Sequence, residues 1–199
     1  LVGEDGPTHH GIFDFSYLRH IPNLTIMAPK DENELRHMLF TAFQIDGPVA
    51  LRYPRGHGLG VALDRDLRML PHGKGELLRH GTDITLLAAG AMVSVALKAA
   101  ERLSASGISC AIINIRYIKP LDEELILEWA QRTGAVITIE ENVVTGGFGS
   151  AVLELLQTRN LNIPVNVLGL PDRFIEHGGY DILTAKYGLS VEAIERAAS

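Results

Sequence analysis

From residue 83 onward the chain moves in two rhythms. Short runs such as Ile84-Thr85-Leu86-Leu87-Ala88-Ala89 and Ala135-Val136-Ile137-Thr138-Ile139 are apolar without alternation, the pattern of strands covered on both faces. Between them, apolar residues recur every three or four positions, as on one face of a helix: Met92, Val95, Ala96, Ala99 and Leu103, then Leu125, Ile126, Trp129 and Ala130. Asp122 is placed to cap the second of these helices. Residues 108–115 and 165–168 read as two more strands, and Glu140-Glu141-Asn142 reads as a strand end. Gly146-Gly147-Phe148-Gly149 leads into a helix over 150–157, and short helices are expected over 181–187 and from Ser190. Strands alternating with helices predict an α/β fold with three layers and a mostly parallel sheet.

The first half is less regular. Residues 13–21 form a short apolar segment, and Leu24-Thr25-Ile26-Met27-Ala28 reads as a buried strand ended by Pro29. Asp31 can cap a helix, with Glu34 at capping-box spacing. Leu35, Met38, Leu39, Ala42 and Phe43 are expected on its buried face. Val49-Ala50-Leu51-Arg52-Tyr53 is a second strand, which the strand–helix–strand unit should hold parallel to the first. Residues 57–73 carry glycines and no sustained period, so they read as a linker. Residues 73–79 read as an edge strand after it.

The charge of −6 offers no basic field for nucleic acid or anionic lipid, and no apolar run is long enough to span a bilayer. The single Cys110 lies in an apolar run and reads as an inert buried thiol, in keeping with a reducing compartment. Asn23-Leu24-Thr25 fits a glycosylation pattern but reads as coincidence. With Leu1 in place of an initiator methionine and no signal peptide, the chain reads as a piece of a longer one.

The densest cluster of chemistry is Gly3-Glu4-Asp5-Gly6-Pro7-Thr8-His9-His10-Gly11, a polar turn with two acids, two imidazoles and a hydroxyl. Asp5 and His9 could meet across a four-residue offset and exchange or orient protons; a solvated surface turn is the plainer alternative. Arg55 follows the strand ending at Tyr53, where parallel sheets bind ligands, and its fork could hold a phosphate. Arg52, inside the strand, reads as a structural ion pair. Gly146-Gly147-Phe148-Gly149 lacks a phosphate-loop lysine and reads as close packing, and Glu140-Glu141 reads as a helix cap or interface pair. Glu176 and His177 are too few for a metal. His20, His37, His57, His72 and His80 read as surface.

Glu4-Asp5-Gly6-Pro7-Thr8-His9 resembles a motif of the transketolase-like, thiamine-diphosphate-dependent enzymes. The stretches Gly11-Ile12-Phe13-Asp14-Phe15-Ser16-Tyr17-Leu18-Arg19, Arg52-Tyr53-Pro54-Arg55-Gly56 and Leu170-Pro171-Asp172-Arg173-Phe174-Ile175-Glu176-His177-Gly178 resemble its deoxyxylulose-phosphate synthase branch. The resemblance implies the last part of a pyrimidine-binding domain (1–56), a linker (57–73) and a complete C-terminal domain (74–199). It implies a transferase of isoprenoid, thiamine and pyridoxal precursor synthesis that condenses pyruvate with glyceraldehyde 3-phosphate and releases carbon dioxide. His9 and Asp5 would be catalytic and Arg55 would hold the substrate phosphate. The cofactors would be thiamine diphosphate and Mg²⁺, with their main binding residues and the activating glutamate outside this chain. A homodimer in the bacterial cytoplasm or plastid stroma is expected, with no nucleic-acid or membrane partner and no activity for this piece alone. Alternatives are a 2-oxoacid dehydrogenase β subunit, a transketolase fragment, or a non-catalytic regulatory or assembly module.

Overall fold

The computed structural model describes residues 1–199. A five-stranded sheet in the order β3-β5-β4-β7-β8 forms the centre. Its strands are β3 (Glu76–Arg79), β4 (Ile84–Ala88), β5 (Cys110–Asn114), β7 (Val136–Val143) and β8 (Val165–Leu170). All neighbours pair parallel except the edge strand β3, which runs antiparallel to β5. Successive residues of β4 face opposite cores, so each face of the sheet has its own helices. Leu86 and Ala88 join α3 (Met92–Ala105) and α7 (Val191–Ala198), whereas Leu87 joins α4 (Glu123–Thr133) and α5 (Phe148–Thr158). A last helix, α6 (Tyr180–Lys186), follows β8. The three layers expected from the alternating rhythm are therefore present.

A second, three-stranded sheet carries the order β2-β1-β6. Strand β1 (Thr25–Met27) and strand β2 (Val49–Leu51) are parallel and joined by α2 (Glu32–Ala42). The third member, β6 (Tyr117–Lys119), pairs antiparallel with β1 and was not expected from the sequence. It follows β5 directly through Arg116, whose φ of 56° turns the chain out of one sheet and into the other. One short strand thus bolts the two halves together. The short helix α1 (Asp14–Leu18) buries Phe15 in the core beneath α4 and α5.

The structure corrects several sequence expectations. Strand β7 does not stop at Ile139; it runs through Glu140-Glu141-Asn142 to Val143, with every residue buried. Helix α5 starts at Phe148 rather than Ser150. The buried face of α2 is also not the apolar stripe: Glu34, His37, Met38 and Thr41 are buried, while Leu39 is exposed and Phe43 is 82% exposed.

The reason lies in what α2 packs against. The segment between β2 and β3 is a strap without helix or strand, fastened to α2 by side-chain bonds. The Glu32 carboxylate accepts the N–H groups of Leu59 (3.0 Å), Gly60 (2.6 Å) and Val61 (3.0 Å). Those amides and its own hold its pKa below the usual carboxylate range. His37, expected at the surface, is buried: Nε2 lies 2.8 Å from Asp64 Oδ2 and Nδ1 accepts the Arg68 N–H at 3.2 Å. Thr41 Oγ1 accepts the Leu70 N–H at 2.8 Å. A strap of backbone amides needs polar side chains to receive it, so the polar stripe is the one that is covered.

The other fastening is ionic. Glu34, 2% exposed, accepts from Asn114 Nδ2 (2.9 Å), Arg116 Nε (2.6 Å) and the Lys30 N–H (2.8 Å). Arg116 also reaches Glu76 at 2.9 Å. Removing one member of a buried charge cluster leaves its partner desolvated and unpaired, at a cost of about 3–5 kcal/mol. Glu34→Ala is therefore expected to lower the unfolding free energy by about 3 kcal/mol in urea titration. Glu76→Ala, acting on a better-solvated pair, is expected to cost less than about 1 kcal/mol.

Candidate functional site

The opening loop is built by its backbone. Residues Gly3–Asp5 form one 3-10 turn, and Gly3 and Gly6 have φ of 65° and 72°, which glycine adopts without strain. The Gly6 carbonyl then accepts the His9 N–H at 3.0 Å and the His10 N–H at 3.1 Å. A side chain at Gly6 would also press on the loop after β8, since a Cβ there would lie 3.1 Å from His177 Cβ. The loop is thus seated on the C-terminal half.

Asp5 and Arg55 meet as an ion pair across fifty positions of sequence. Arg55 stands on the strap just past β2, at the carboxyl end of the small parallel pair, and its side chain is 64% exposed. A guanidinium held on one edge by a carboxylate keeps donors free for an incoming anion. His9 is exposed, with Nδ1 2.9 Å from Thr8 Oγ1. No hydrogen bond joins it to Asp5, so the two loop residues contact different partners. Three expected residues thus fall on one loop and the strap paired to it.

Arg52 is a structural arginine as expected, although it stands one residue past the end of β2 rather than inside it. Its Nε lies 3.3 Å from Asp14 Oδ2, its Nη2 donates to the Glu141 carbonyl at 2.5 Å, and the guanidinium stacks 4.7 Å over the Phe15 ring. His10 shares the polar turn with His9, yet only 8% of it is exposed. Nothing in the sequence separates the two, since both are flanked by the same turn residues. No three His, Cys, Asp or Glu side chains come together as a metal group.

Glu140 acts as the cap for α5. Its two carboxylate oxygens accept the Phe148 and Gly149 N–H groups, each at 2.7 Å, from a fully buried position. The glycines are there for closeness: a Cβ on Gly149 would lie 2.5 Å from Val167 Cγ1. Burial pushes the Glu140 carboxyl up to about 7, against the pull of those two amides. Glu141 accepts the Tyr180 hydroxyl at 2.6 Å. Both carboxylates therefore hold structure together.

Comparisons with known proteins identify the family. The family described as Transketolase, C-terminal domain matches residues 73–194, and the family described as Transketolase, pyrimidine binding domain matches residues 1–58. Among curated relatives, 1-deoxy-D-xylulose-5-phosphate synthase of Desulforudis audaxviator is 58% identical over 199 residues, 100% of this chain and 31% of the relative. The enzyme of the same name from Heliobacterium modesticaldum is 53% identical over 198 residues, again 100% of this chain and 31% of the relative. The chain therefore spans about a third of the length of these relatives. A solved structure described as a split gene transketolase, inactive beta4 tetramer, superposes with a TM-score of 0.86 at 37% identity, covering 96% of this chain and 61% of that one.

A measurement on Glu140 decides whether burial or the two amides dominates. With a folded pKa of about 7 above an unfolded value of about 4.3, its contribution is fully present below the unfolded value and is lost as pH rises through the folded one. The stability advantage of the parent over Glu140→Gln is expected to shrink by about 3 kcal/mol between pH 4.5 and 8, measured by denaturant unfolding. An advantage that grew with pH would mean that the amides win.

Proposed function

The chain belongs to the transketolase family, and from that premise we propose that it forms the aldehyde-phosphate side of a 1-deoxy-D-xylulose-5-phosphate synthase active site. The observation that carries the reading is the Asp5–Arg55 pair, formed past the carboxyl end of β2 by the loop that also carries His9. A partly free guanidinium and a carboxylate meet where an open α/β sheet takes ligands, and the exposed imidazole of His9 follows four residues on in the same loop. The names and identities of the relatives support the same reaction. The substrates would be pyruvate and glyceraldehyde 3-phosphate, with carbon dioxide released.

The residues divide the work by chemistry. Arg55 binds the phosphate through paired donors and so fixes where the aldehyde carbon lies. Asp5 holds the guanidinium in place and accepts from a substrate hydroxyl. His9, with its second ring nitrogen free, gives or takes a proton at the substrate oxygen. Thiamine diphosphate with Mg²⁺ would supply the carbanion chemistry, but this chain assembles no carboxylate or imidazole group suited to the metal. That site would belong to the remaining two-thirds of the enzyme, supplied by the same polypeptide or by a partner chain. The working form would be an assembly, with a homodimer as the simplest arrangement. No helix is long and apolar enough to cross a membrane.

The test is carbon dioxide release from pyruvate, dependent on glyceraldehyde 3-phosphate, by the full-length protein that carries this sequence. The chain by itself is expected to be inactive. His9→Ala is expected to lower kcat by about 10²- to 10⁴-fold. Arg55→Ala is expected to raise the KM for the aldehyde phosphate at least tenfold, or about 1.4 kcal/mol, and to leave the KM for pyruvate unchanged. Unchanged kinetics in both variants would refute the assignment and favour a non-catalytic module. Activity with a 2-oxoacid dehydrogenase complex instead would place the chain among the β subunits.

A further inference from the structure

His10 is used at both ring nitrogens and is almost sealed from water. Its Nδ1 accepts the Val2 N–H at 3.0 Å, and its Nε2 lies 3.2 Å from the Glu176 carbonyl oxygen. An acceptor on one side and a donor on the other define a neutral imidazole carrying its proton on Nε2. The ring therefore joins the start of the opening loop to the loop between β8 and α6, across 166 positions. Two contacts run beside it. The Gly178 N–H donates to the Gly3 carbonyl at 3.2 Å, and Gly6 packs so close to His177 that a Cβ on it would come within 3.1 Å of the His177 Cβ.

The loop that His10 grips is itself fixed. Ile175 is fully buried in the core under α3. The Glu176 side chain is tied to Lys186 at the end of α6 and to the Tyr187 hydroxyl. The carbonyl that receives the His10 proton cannot drift without disturbing that core. A glycine-rich turn, by contrast, has many conformations to lose and needs an external hold.

We propose that His10 is a positioning residue: its neutral imidazole clasps the Asp5–His9 loop to the Asp172–Gly178 loop and so sets where the two reacting side chains point. This assignment rests on the reading that the opening loop works in catalysis. It gives the C-terminal half a part in the site without a contact to substrate. It also divides the histidine pair: His9 faces solvent and does chemistry, and His10 faces inward and holds it in register.

The test compares His10→Ala with His10→Gln in the full-length protein. A glutamine amide offers one acceptor and one donor at a spacing close to that of the two ring nitrogens. His10→Ala is expected to lower kcat/KM for glyceraldehyde 3-phosphate about 100-fold, the usual consequence of displacing a reacting group by about an ångström. His10→Gln is expected to recover to within about fivefold of the parent, a shortfall of about 1 kcal/mol. Amide exchange at Val2 is expected to lose its protection in the alanine variant and keep it in the glutamine variant, whether or not the alanine variant turns over. Equal losses in both variants, or full activity in the alanine variant, would overturn the clasp. His9→Ala and Arg55→Ala serve as controls. If they are inert while Val2 protection behaves as expected, the catalytic reading fails and the clasp stands as a structural hold. If they cripple the enzyme and His10→Ala does not, only the clasp is wrong.

Discussion

The whole chain depends on how the carboxyl edge of the five-stranded sheet is closed. Between β4 and β7 the order of connections reverses, and such a point leaves a crevice in which open α/β sheets hold ligands. Here the first residues of the chain fill it. Ile12 and Phe15 are both fully buried, and they belong to the cores on opposite faces of the sheet. The strand end is stitched to them: the Val143 N–H donates to the Ile12 carbonyl at 2.8 Å, and Asn142 Oδ1 accepts the Phe15 N–H at 3.2 Å. Burying a phenylalanine contributes roughly 1.5–3 kcal/mol, so this plug is a real part of the fold. The candidate site is displaced to the rim of the small sheet, where Arg55 and the opening loop meet.

Charge at this seam selects an arrangement more than it adds stability. Buried ion pairs return little net free energy over an apolar replacement, because desolvation offsets most of the attraction. Glu34, Asn114 and Arg116 nevertheless lie deep between α2 and the end of β5. Each donor there finds an oxygen only if α2 docks in one register. The same logic applies to Glu140, whose two oxygens match two amides of α5 and nothing else nearby. Surface pairs such as Arg102–Glu192 lack that consequence, since water can replace either partner.

Much of this was legible in the sequence, and the misses share one cause. The central strands and α3 to α5 were readable because their partners are apolar, so burial and hydropathy agree. They disagree wherever the partner is backbone or charge. On α2 the covered side chains are Glu34, His37, Met38 and Thr41, because a strap of amides lies on them. In β7 the run Glu140-Glu141-Asn142 looks like a strand end, yet each side chain has an internal partner and the strand continues. Strand β6 is three residues long and follows β5 after only two residues, too short for any period to register. At the candidate site, residue types and strand ends pointed to Asp5, His9 and Arg55, and the structure sets Asp5 against Arg55. The inward turn of His10 was not legible, because it depends on a carbonyl that arrives from the far end of the chain.

A site of this kind needs side chains that are free to react on a backbone that is not free to move. The opening loop meets both demands. Its amides at Gly6, His9 and His10 are spent on its own carbonyls, and Val2 is spent on an imidazole. Arg55 is less obviously held, since it lies in a segment without helix or strand. Four residues beyond it, however, the Glu32 carboxylate gathers three consecutive amides from Leu59 to Val61. One acid on the first turn of α2 thus does for the strap what a strand partner would do, at the cost of a single side chain. The guanidinium that meets Asp5 is therefore placed from two directions, by the end of β2 behind it and by Glu32 ahead of it. The gap between those anchors is short enough that little chain entropy remains to be lost when an anion binds.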